Sequence, residues 1–556
     1  MKTNNQRLAL RVIFLGGVGE IGKNMTALEL GEDIMIIDCG STFPGGDMPG
    51  VDLVIPDANY LIENRDKVRG IVLTHGHEDH IGGLPYILKD LKVPVYGTQL
   101  TIAILEAKLR EAKVQANLNV VKPGGVVSLG KSFKVEFVNV SHSIAGSCAL
   151  SINTPLGLIF HTGDFKVDFT PVKGNIIDLN RIAELGNEGV LLLMCESTNI
   201  ERAGFSLSES AVGKSMNAIL QDNTESRVFI TTFASNVHRL QQLVDLAEKY
   251  KRKVVFAGRS MLNIVDVALS IGEFRINKDI MVDVDDINKY ADKELMIITT
   301  GSQGEPMSAL SRIANDEFGK IQLHYNDLVI ISASPIPGNE RMVYNVINNL
   351  YRHGAKVIYE SLAEVHASGH ACREEIKLMH SLLKPKFFIP VHGEHRHLKK
   401  HADLAISMGM RPSNIIITDI GDVVEVSDRT FRCTERVRSG ALLVDGLGVG
   451  EVGSLVLRDR KHLAQEGSVS TAVAIDMKSG EILGVDITSR GFAYTQDTDE
   501  LLNQCKELVK NVLLGTDIKA QEDWNAVKQN IRKEVKNFIF RKTKRSPMII
   551  IQILEV

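Results

Sequence analysis

The amino-acid sequence predicts an α/β protein that is divided into several domains. Two observations lead to this fold class. Short apolar strands recur along the chain and end in glycine, histidine or acidic residues, and in the middle of the chain they alternate with helical segments. The length of 556 residues is sufficient for several domains of roughly 100–200 residues each.

Composition narrows the class of protein further. Hydrophobic residues make up 44% and charged residues 24% of the chain, which is typical of a globular protein. The net charge of −4 excludes a general polycation, but it leaves room for a local basic groove that binds nucleic acid. No apolar stretch reaches the ~18 residues that a membrane span needs.

The first ten residues and the cysteines indicate the cellular compartment. MKTNNQRLAL, at the start of the chain, contains no long apolar run, so we expect no signal peptide. The six cysteines have no CxxC spacing, which argues against a thiolate zinc ribbon. We therefore expect a cytoplasmic protein whose cysteines are mostly buried and inert.

The first strand is followed by a motif that admits two interpretations. Residues 10–22 form an apolar run that continues into G-x-G-x-x-G, and Asp38 follows about twenty residues after the motif begins, as in dinucleotide-binding folds. The intervening NMTALELGEDIMIID consists of two short apolar runs separated by a Gly-Glu-Asp turn. That pattern predicts a hairpin and not the crossover helix of a dinucleotide fold, so we expect the glycines to serve tight turns.

The stretch THGHEDHIGG, residues 74–83, holds His75, His77, Asp79 and His80. We expect an apolar strand over residues 70–73 and a helix that starts near His80. In H-x-H-x-D-H the two alternating histidines can face one metal, and the following Asp and His a second. Imidazole and carboxylate are ligands that borderline divalent metals prefer. A polar loop rich in histidine is the simpler alternative, but the density of ligands favours a metal site.

Further ligands have to come from distant parts of the chain, since four side chains cannot complete two metal sites. His142, Asp164 and His392 each come just after an apolar strand, where site residues of α/β folds usually lie. A single histidine in such a place is more often a surface or core residue. Asp38, at the end of IMIID, is a candidate for an acid that orients a ligand histidine.

This succession of motifs resembles the metallo-β-lactamase superfamily. The resemblance implies a four-layer αβ/βα sandwich with a dinuclear metal site. It assigns the ligands in two sets: His75, His77 and His142 to one metal, Asp79, His80 and His392 to the other, and Asp164 to both. Two metals ~3.5–4 Å apart suit hydrolysis of phosphate esters.

Three more stretches resemble the motifs of β-CASP nucleases, which are an acid, a histidine and a histidine. They are LLLMCESTNIERAGF with Glu196, EVHASGHACREE, and IPVHGEHRH with His392 and Glu394. H-A-S-G-H, together with GSQGEP (301–306), FASNVHRLQQ (233–242) and ASPIPGNE (333–340), is similar to the bacterial ribonuclease J family over essentially the whole chain. One departure is Glu196, where related chains often carry Asp.

The resemblance also implies roles for these residues. His370 is the candidate proton donor or transition-state contact, assisted by His366 and the acid Glu196. The alternative for His370 is a structural histidine after a glycine. Glu394, like Asp38, is expected to support a ligand. A 5′-monophosphate is expected to bind to the following set: Ser235, His366, Ala367, Ser368, Gly369 and His370. A helix N-cap is the alternative for Ser235.

The function that the resemblance implies is a metal-dependent ribonuclease with two divalent ions, zinc or manganese. It would act 5′ to 3′ on 5′-monophosphate ends, with endonuclease activity as well, in RNA maturation and mRNA decay. The expected assembly is a homodimer, a homotetramer, or a hetero-oligomer with a paralogous ribonuclease J. Two alternatives are a weakly active or structural subunit of such an assembly, and a small-molecule hydrolase on the same scaffold.

The expected organisation places a parallel α/β insert inside the metallo-β-lactamase domain. The first part of that domain covers residues 1–203, the β-CASP insert 204–365, and the second part 366–444, which ends with the strands SNIIITDI and DVVEVS. A glycine-rich linker over 445–459 leads to a small α/β domain over 460–556. Its last strand, PMIIIQILEV, is so apolar that it should be buried or paired, and the basic RKTKRS (541–546) before it is a solvated face or an RNA contact.

Overall fold

The computed structural model describes residues 9–305, 307–335, 339–446, 448–492, 496–515 and 524–556. Parts of GSQGEP (residue 306), ASPIPGNE (336–338) and the expected linker (447) lie outside the described residues, as do the first eight residues. The chain divides into two compact units. One comprises Met1–Thr42 and Ile55–Leu442, and the other comprises Phe43–Val54 and Leu443–Val556.

The strands of the described residues follow in chain order: β1 (Leu10–Gly16), β2 (Val18–Gly19), β3 (Met25–Leu30), β4 (Asp33–Ile37), β5 (Leu53–Pro56), β6 (Val68–Val72), β7 (Val95–Gly97), β8 (Leu118–Val120), β9 (Val126–Leu129), β10 (Phe133–Asn139), β11 (Cys148–Thr154), β12 (Gly157–His161), β13 (Val190–Glu196), β14 (Val228–Thr231), β15 (Lys253–Ala257), β16 (Leu295–Thr299), β17 (Leu328–Ile331), β18 (Lys356–Ile358), β19 (Phe387–Val391), β20 (Gly393–Glu394), β21 (Asp422–Val426), β22 (Phe431–Arg436), β23 (Ala441–Asp445), β24 (Gly448–Val449), β25 (Ser468–Asp476), β26 (Glu481–Arg490) and β27 (Met548–Glu555).

The α-helices of the same residues are α1 (Asn59–Glu63), α2 (Glu78–Ile81), α3 (Leu84–Ile87), α4 (Gln99–Glu111), α5 (Leu179–Glu188), α6 (Glu209–Asp222), α7 (Val237–Lys249), α8 (Arg259–Ser270), α9 (Ala309–Ala314), α10 (Glu340–Arg352), α11 (Arg373–Leu383), α12 (His395–Ser407), α13 (Ser454–Glu466), α14 (Gln496–Leu514) and α15 (Trp524–Thr543). Short 3₁₀ turns cover Arg65–Lys67, Val284–Lys289, Asp292–Glu294 and Pro412–Asn414. None of these helices is long and apolar enough to cross a bilayer.

Two large sheets pack face to face in the first unit. One has eight strands in the order β22-β21-β1-β3-β4-β6-β7-β8, and the other has six in the order β19-β13-β12-β11-β10-β9. Their inner faces share one apolar core, in which Phe14 and Met35 of the first sheet join Phe137 and Ile389 of the second. Burial of such side chains is the main force that holds two sheets together.

Helices cover the outer faces of both sheets and complete the four layers. On the first sheet, Ile36 and Ile71 share a core with Leu105 of α4. On the second sheet, Phe160 shares a core with Met379 of α11. The predicted αβ/βα sandwich is therefore confirmed.

The insert after β13 is a separate sheet of five parallel strands, in the order β15-β16-β14-β17-β18. Both of its faces are covered, since Ile230 packs with helices α6 to α8 on one side and Phe229 packs with α9 and α10 on the other. Continuous apolar runs such as VFIT follow from this double burial. The parallel α/β class predicted for the insert is confirmed.

The second unit ends in a small α/β fold. Strand β25 pairs antiparallel with β26 and parallel with β27, and α14 and α15 cover one face of this sheet. The apolar final strand β27 thus finds its partner within its own chain. Strands β24, β23 and β5 form a further small sheet in that order.

The strand positions decide two local predictions, the hairpin after the glycine motif and the strand over SNIIITDI. β3 and β4 pair antiparallel around Gly31, so the hairpin is confirmed and no crossover helix follows the glycine motif. The strand predicted over SNIIITDI is wrong. Pro412 opens a 3₁₀ turn, and only Ile415 bridges to Phe388 of β19. The apolar run has another explanation. Ile416, Ile417 and Ile420 pack against the core between the sheets and do not continue a β-ladder.

The cysteines agree with the sequence expectation. All six are free, and five of them are buried. Burial raises the pKa of the Cys39 and Cys195 thiols well above the ordinary value, so these thiols stay protonated and unreactive.

Candidate metal centre

The seven predicted metal ligands meet where loops from both sheets converge. The loop after β6 brings the four ligands of H-x-H-x-D-H, and the loops after β10, β12 and β19 bring the other three. Their ligand atoms form two groups, each with atoms within 4.8 Å of one another. The groups are His75, His77 and His142, and Asp79, His80, Asp164 and His392.

Asp164 belongs to the second group and also lies close to His75 and His142 of the first. Its Oδ2 atom is buried and has no hydrogen-bond donor among the described residues. Five imidazole nitrogens surround this oxygen: Nε2 of His80 at 3.3 Å, His75 at 3.6 Å, His392 at 3.7 Å and His142 at 3.8 Å, and Nδ1 of His370 at 3.8 Å. An unpartnered buried carboxylate oxygen inside a ring of imidazoles fits a ligand shared by cations.

Burial sets the protonation of the first group. It lowers the pKa of His75 and His142 well below the ordinary value and lowers the pKa of His77 to about 4. These rings are therefore neutral at physiological pH, and neutral imidazole is the form that binds metal. His75 Nε2 and His142 Nε2 both approach His77 Nδ1, at 3.0 and 3.1 Å, so the three nitrogens face one point.

The second group carries compensating charges. Burial disfavours an ionised Asp164, but His392 and His80 hold its pKa well below the ordinary value. Burial also disfavours a charged His80, but the Asp164 and Asp79 carboxylates raise its pKa well above the ordinary value. The carboxylates are thus ionised and ready to bind a cation, which would displace the protons of the neighbouring rings.

Asp38, the acid predicted to orient a ligand histidine, contacts His80. Its Oδ2 accepts a hydrogen bond from His80 Nδ1 at 2.8 Å, which directs Nε2 towards Asp164. The Thr74 amide and hydroxyl both donate to Asp38 at 2.8 Å and fix the carboxylate. Asp38 has a φ of 58°, in the left-handed region, so the backbone is bent to present this side chain.

Two other ligand histidines are held by groups that the sequence did not reveal. His142 Nδ1 donates to the Gly369 carbonyl at 2.6 Å, and His392 Nδ1 lies 2.6 Å from the Thr198 hydroxyl. A Cβ atom at position 369 would lie 2.6 Å from Cε1 of His142, so only glycine fits there. The sole sequence signal for Thr198 was its place two residues after Glu196.

Glu196 and His370 form a pair at the edge of the centre. Glu196 is the last residue of β13, rather than following the strand, and its Oε2 accepts from His370 Nδ1 at 2.7 Å. Its Oε1 accepts from the Phe165 amide at 2.8 Å, next to Asp164. Burial disfavours a charged His370, but the Glu196 carboxylate raises its pKa to about 9, so the ring holds a proton at physiological pH.

The remaining predicted phosphate-binding residues lie beside this pair. Ser368 Oγ accepts from Asn199 Nδ2 at 2.7 Å and from the His370 amide at 3.2 Å, which fixes its hydroxyl. Ala367 is buried. His366 belongs to neither ligand group, and its Nδ1 lies 3.4 Å from Nη1 of the buried Arg239.

Two residues, Ser235 and Glu394, take places that differ from one of the sequence interpretations. The N-cap of α7 is Asn236, so the N-cap alternative for Ser235 is wrong; Ser235 is half-buried before it. Glu394 is not brought to a ligand, because its side chain caps α12 and pairs with Arg396 at 2.9 Å. Glu78, the acid of the loop without a predicted role, pairs with Lys108 away from the ligands.

Known proteins resemble this chain over its whole length. Family models match four segments: the metallo-beta-lactamase superfamily at residues 18–146, the Ribonuclease J beta-CASP domain at 225–350, the Zn-dependent metallo-hydrolase RNA specificity domain at 354–417, and the Ribonuclease J C-terminal domain at 455–556. The expected resemblance to ribonuclease J is therefore confirmed.

Individual relatives agree with the family models. The chain is 41% identical to Ribonuclease J2 of Bacillus subtilis, over 98% of this chain and 99% of that protein. It is also 41% identical to Ribonuclease J of Synechocystis, over 100% of this chain and 88% of that protein. A crystal structure of a protein of unknown function from Enterococcus faecalis covers 75% of this chain with a TM-score of 0.53, and at 18% identity it supports the fold alone.

The contact between Asp38 and His80 predicts a loss of metal affinity in Asp38→Asn. Asparagine tolerates the positive φ of this position, but it lacks the charge that holds the His80 N–H. We expect the affinity for divalent metal to fall by about 10–100-fold, as is usual when the partner of a ligand histidine is removed. Competition with a chromophoric chelator measures this affinity.

Glu78→Gln is the matched control, because Glu78 lies on the same loop and contacts Lys108 instead of a ligand. Its affinity for metal should equal that of the unmodified protein. An Asp38→Asn protein that binds metal as tightly as this control would contradict the orienting role.

Proposed function

The chain belongs to the ribonuclease J family and is a metal-dependent ribonuclease, and we propose that it removes nucleotides one at a time from the 5′ end of RNA and prefers a 5′-monophosphate. The observation that carries this proposal is the hydrogen bond from the ligand His142 to the Gly369 carbonyl. It joins H-A-S-G-H, the predicted phosphate-binding motif, directly to the metal centre. A terminal phosphate bound there would lie at a fixed distance from the reacting bond.

We assign the seven grouped side chains as ligands of two divalent ions, zinc or manganese, with Asp164 shared by both. Ions bound at such a centre supply an activated water and neutralise charge on the phosphoryl oxygens. Imidazole and carboxylate fit either metal equally well. The buried, unpartnered Oδ2 of Asp164 supports this assignment, since it needs a positive partner.

The protein itself supplies a proton for the leaving oxygen. His370 Nδ1 donates to Glu196, which leaves its Nε2–H free to donate towards the substrate. Glu196 keeps that ring charged and in one orientation, and the Ser368 hydroxyl and its flanking amides are suited to phosphate oxygens. The Ser235 hydroxyl, before α7, is the candidate for a further donor to the same phosphate.

The wider expectations remain proposals. They are endonuclease activity on internal bonds, a role in RNA maturation and mRNA decay, a cytoplasmic location, and the residue boundaries expected for the domains. We also propose a homodimer or homotetramer, or assembly with a paralogous ribonuclease J. A weakly active subunit is the second candidate, and the name of the Bacillus subtilis relative supports it, since the number implies a sister enzyme. The small-molecule alternative is disfavoured by the family.

The direction of degradation follows from the proposed phosphate contact. A single-stranded RNA with a 5′-monophosphate and a label on that phosphate should release labelled mononucleotide first. When both RNAs carry a label at the 3′ end instead, the one with a 5′-hydroxyl should be degraded more slowly than the one with a 5′-monophosphate. Resolving the products by length over time measures both effects, and early products of intermediate length would contradict an exonuclease.

His77→Ala provides the control for metal dependence in this assay. It removes one of three nitrogens that face a single point, so activity should fall to background. Equal rates for this variant and the unmodified chain would leave only a structural or weakly active subunit.

The pair of Glu196 and His370 predicts that His370→Ala reduces turnover without loss of metal. Removal of a positioned acid usually lowers the rate by about 10²–10⁴-fold, so kcat should fall by that order while KM changes little. Steady-state kinetics and metal analysis of the same preparation test this. His353→Ala is the matched control, since His353 ends α10 and contacts Asp316; a fall in metal content for His370→Ala would instead indicate a ligand.

A further inference from the structure

Arg239 is a fully buried cation beside the phosphate-binding motif. It lies in the first turn of α7 and is 1% exposed. Its guanidinium donates twice to Glu209, from Nη2 to Oε1 at 2.6 Å and from Nε to Oε2 at 3.2 Å. Such a bidentate pair balances the buried charge and holds the plane of the guanidinium in one orientation.

The third nitrogen of this guanidinium reaches H-A-S-G-H. Nη1 donates to the Ser332 carbonyl at 2.8 Å and lies 3.4 Å from Nδ1 of His366. The Ser332 hydroxyl in turn donates to the Val365 carbonyl at 2.6 Å. Arg239 and the end of β17 therefore hold both the backbone before His366 and its ring.

The chemistry of this contact fixes the proton on the His366 ring. A guanidinium can only donate, so Nδ1 of His366 has to face it with a lone pair. A neutral imidazole with an unprotonated Nδ1 carries its proton on Nε2. A second proton on Nδ1 would point at the cation. Burial and the charge of Arg239 accordingly lower the pKa of His366 to about 3.

We propose that Arg239 is a positioning residue which fixes His366 as a neutral hydrogen-bond donor, so that its Nε2–H binds a phosphate oxygen of the RNA and transfers no proton. The inference rests on the proposed function, in which H-A-S-G-H binds the substrate phosphate. It revises the expectation that His366 assists proton donation. Two histidines of one motif thus divide the work: His370 is charged and gives a proton, and His366 is neutral and binds.

The same network leads back to the metal centre. The Glu209 amide donates to Asp168 Oδ2 at 3.0 Å, and Lys166 Nζ lies 3.4 Å from that oxygen. Lys166 and Asp168 follow Asp164 on the same segment, and both are almost completely buried. Arg239 is therefore part of a polar network that extends to the segment directly after Asp164.

Substitution of His366 by two residues separates binding from proton transfer. In His366→Gln the carboxamide nitrogen reaches the place of Nε2 and remains a neutral donor, whereas His366→Ala has no donor. For 5′-monophosphate RNA we expect KM to rise about tenfold or more in His366→Ala, the worth of one hydrogen bond to a charged group. We expect His366→Gln to restore most of that loss, with kcat changed less than about threefold in both.

The outcomes are distinguishable. Equal losses of kcat in the glutamine and alanine variants, with KM unchanged, would overturn the proposal and make His366 an acid. Parallel measurements on 5′-hydroxyl RNA test the proposed function separately. If KM rises equally on both RNAs, the motif does not bind the 5′-phosphate. Rescue by glutamine would then still support a neutral donor, to an internal phosphate.

A spectroscopic measurement tests the tautomer itself. In the ¹⁵N-histidine NMR spectrum of the zinc-loaded protein, the signals lost in His366→Gln should be those of a neutral ring protonated at Nε2. A ring protonated at Nδ1 would overturn the proposal. Arg239→Lys keeps the charge beside Glu209 but has a single donor atom, so it should shift these signals and raise KM. His324→Gln is the matched control, because His324 is half-exposed and pairs with Asp292; its kinetics should not change.

Discussion

The functional site depends on one electrostatic constraint, which is a buried carboxylate oxygen that has no hydrogen-bond donor in the part of the chain that the structure describes. Oδ2 of Asp164 is surrounded by imidazole nitrogens at 3.3–3.8 Å. An uncompensated buried charge costs several kcal/mol, so the fold can keep this oxygen only with positive charge next to it. Protons on His80 and His392 meet that need in part, and their pKa values are raised accordingly. Divalent cations held by these side chains would supply the remaining positive charge.

The four-layer sandwich brings the side chains around Asp164 together from both sheets. The loop after β6 belongs to the first sheet, and the loops that carry His142, Asp164 and His392 belong to the second. The ligands therefore meet only when the inner faces of both sheets pack around Phe14 and Phe137. The insert leaves the second sheet after β13 and the chain returns to it at β19, so the insert is joined to the sheet whose loops carry His142, Asp164 and His392.

The sequence was sufficient to predict the fold class and the set of side chains that meet at the centre. Those residues follow strand ends, and strand ends are readable from apolar runs. The sequence did not predict the hydrogen-bond partners of these side chains. Thr198 and the Gly369 carbonyl act through hydrogen bonds across 194 and 227 residues of chain, and no local pattern encodes such pairs. The strand predicted over SNIIITDI was wrong for a related reason. Its isoleucines are apolar residues required by tertiary packing, and such a run has the same sequence pattern as a buried strand.

The partner of Nδ1 distinguishes three chemically identical imidazoles in this site, those of His142, His370 and His366. A carbonyl partner leaves His142 neutral with its Nε2 lone pair directed at the metal group. A carboxylate partner keeps His370 charged and makes Nε2–H acidic towards the substrate. A guanidinium partner leaves His366 neutral but reverses the tautomer, so its Nε2 donates and does not ligate. The side chains that carry the chemistry are the same residue type, and their surroundings decide whether each binds metal, gives a proton or holds phosphate.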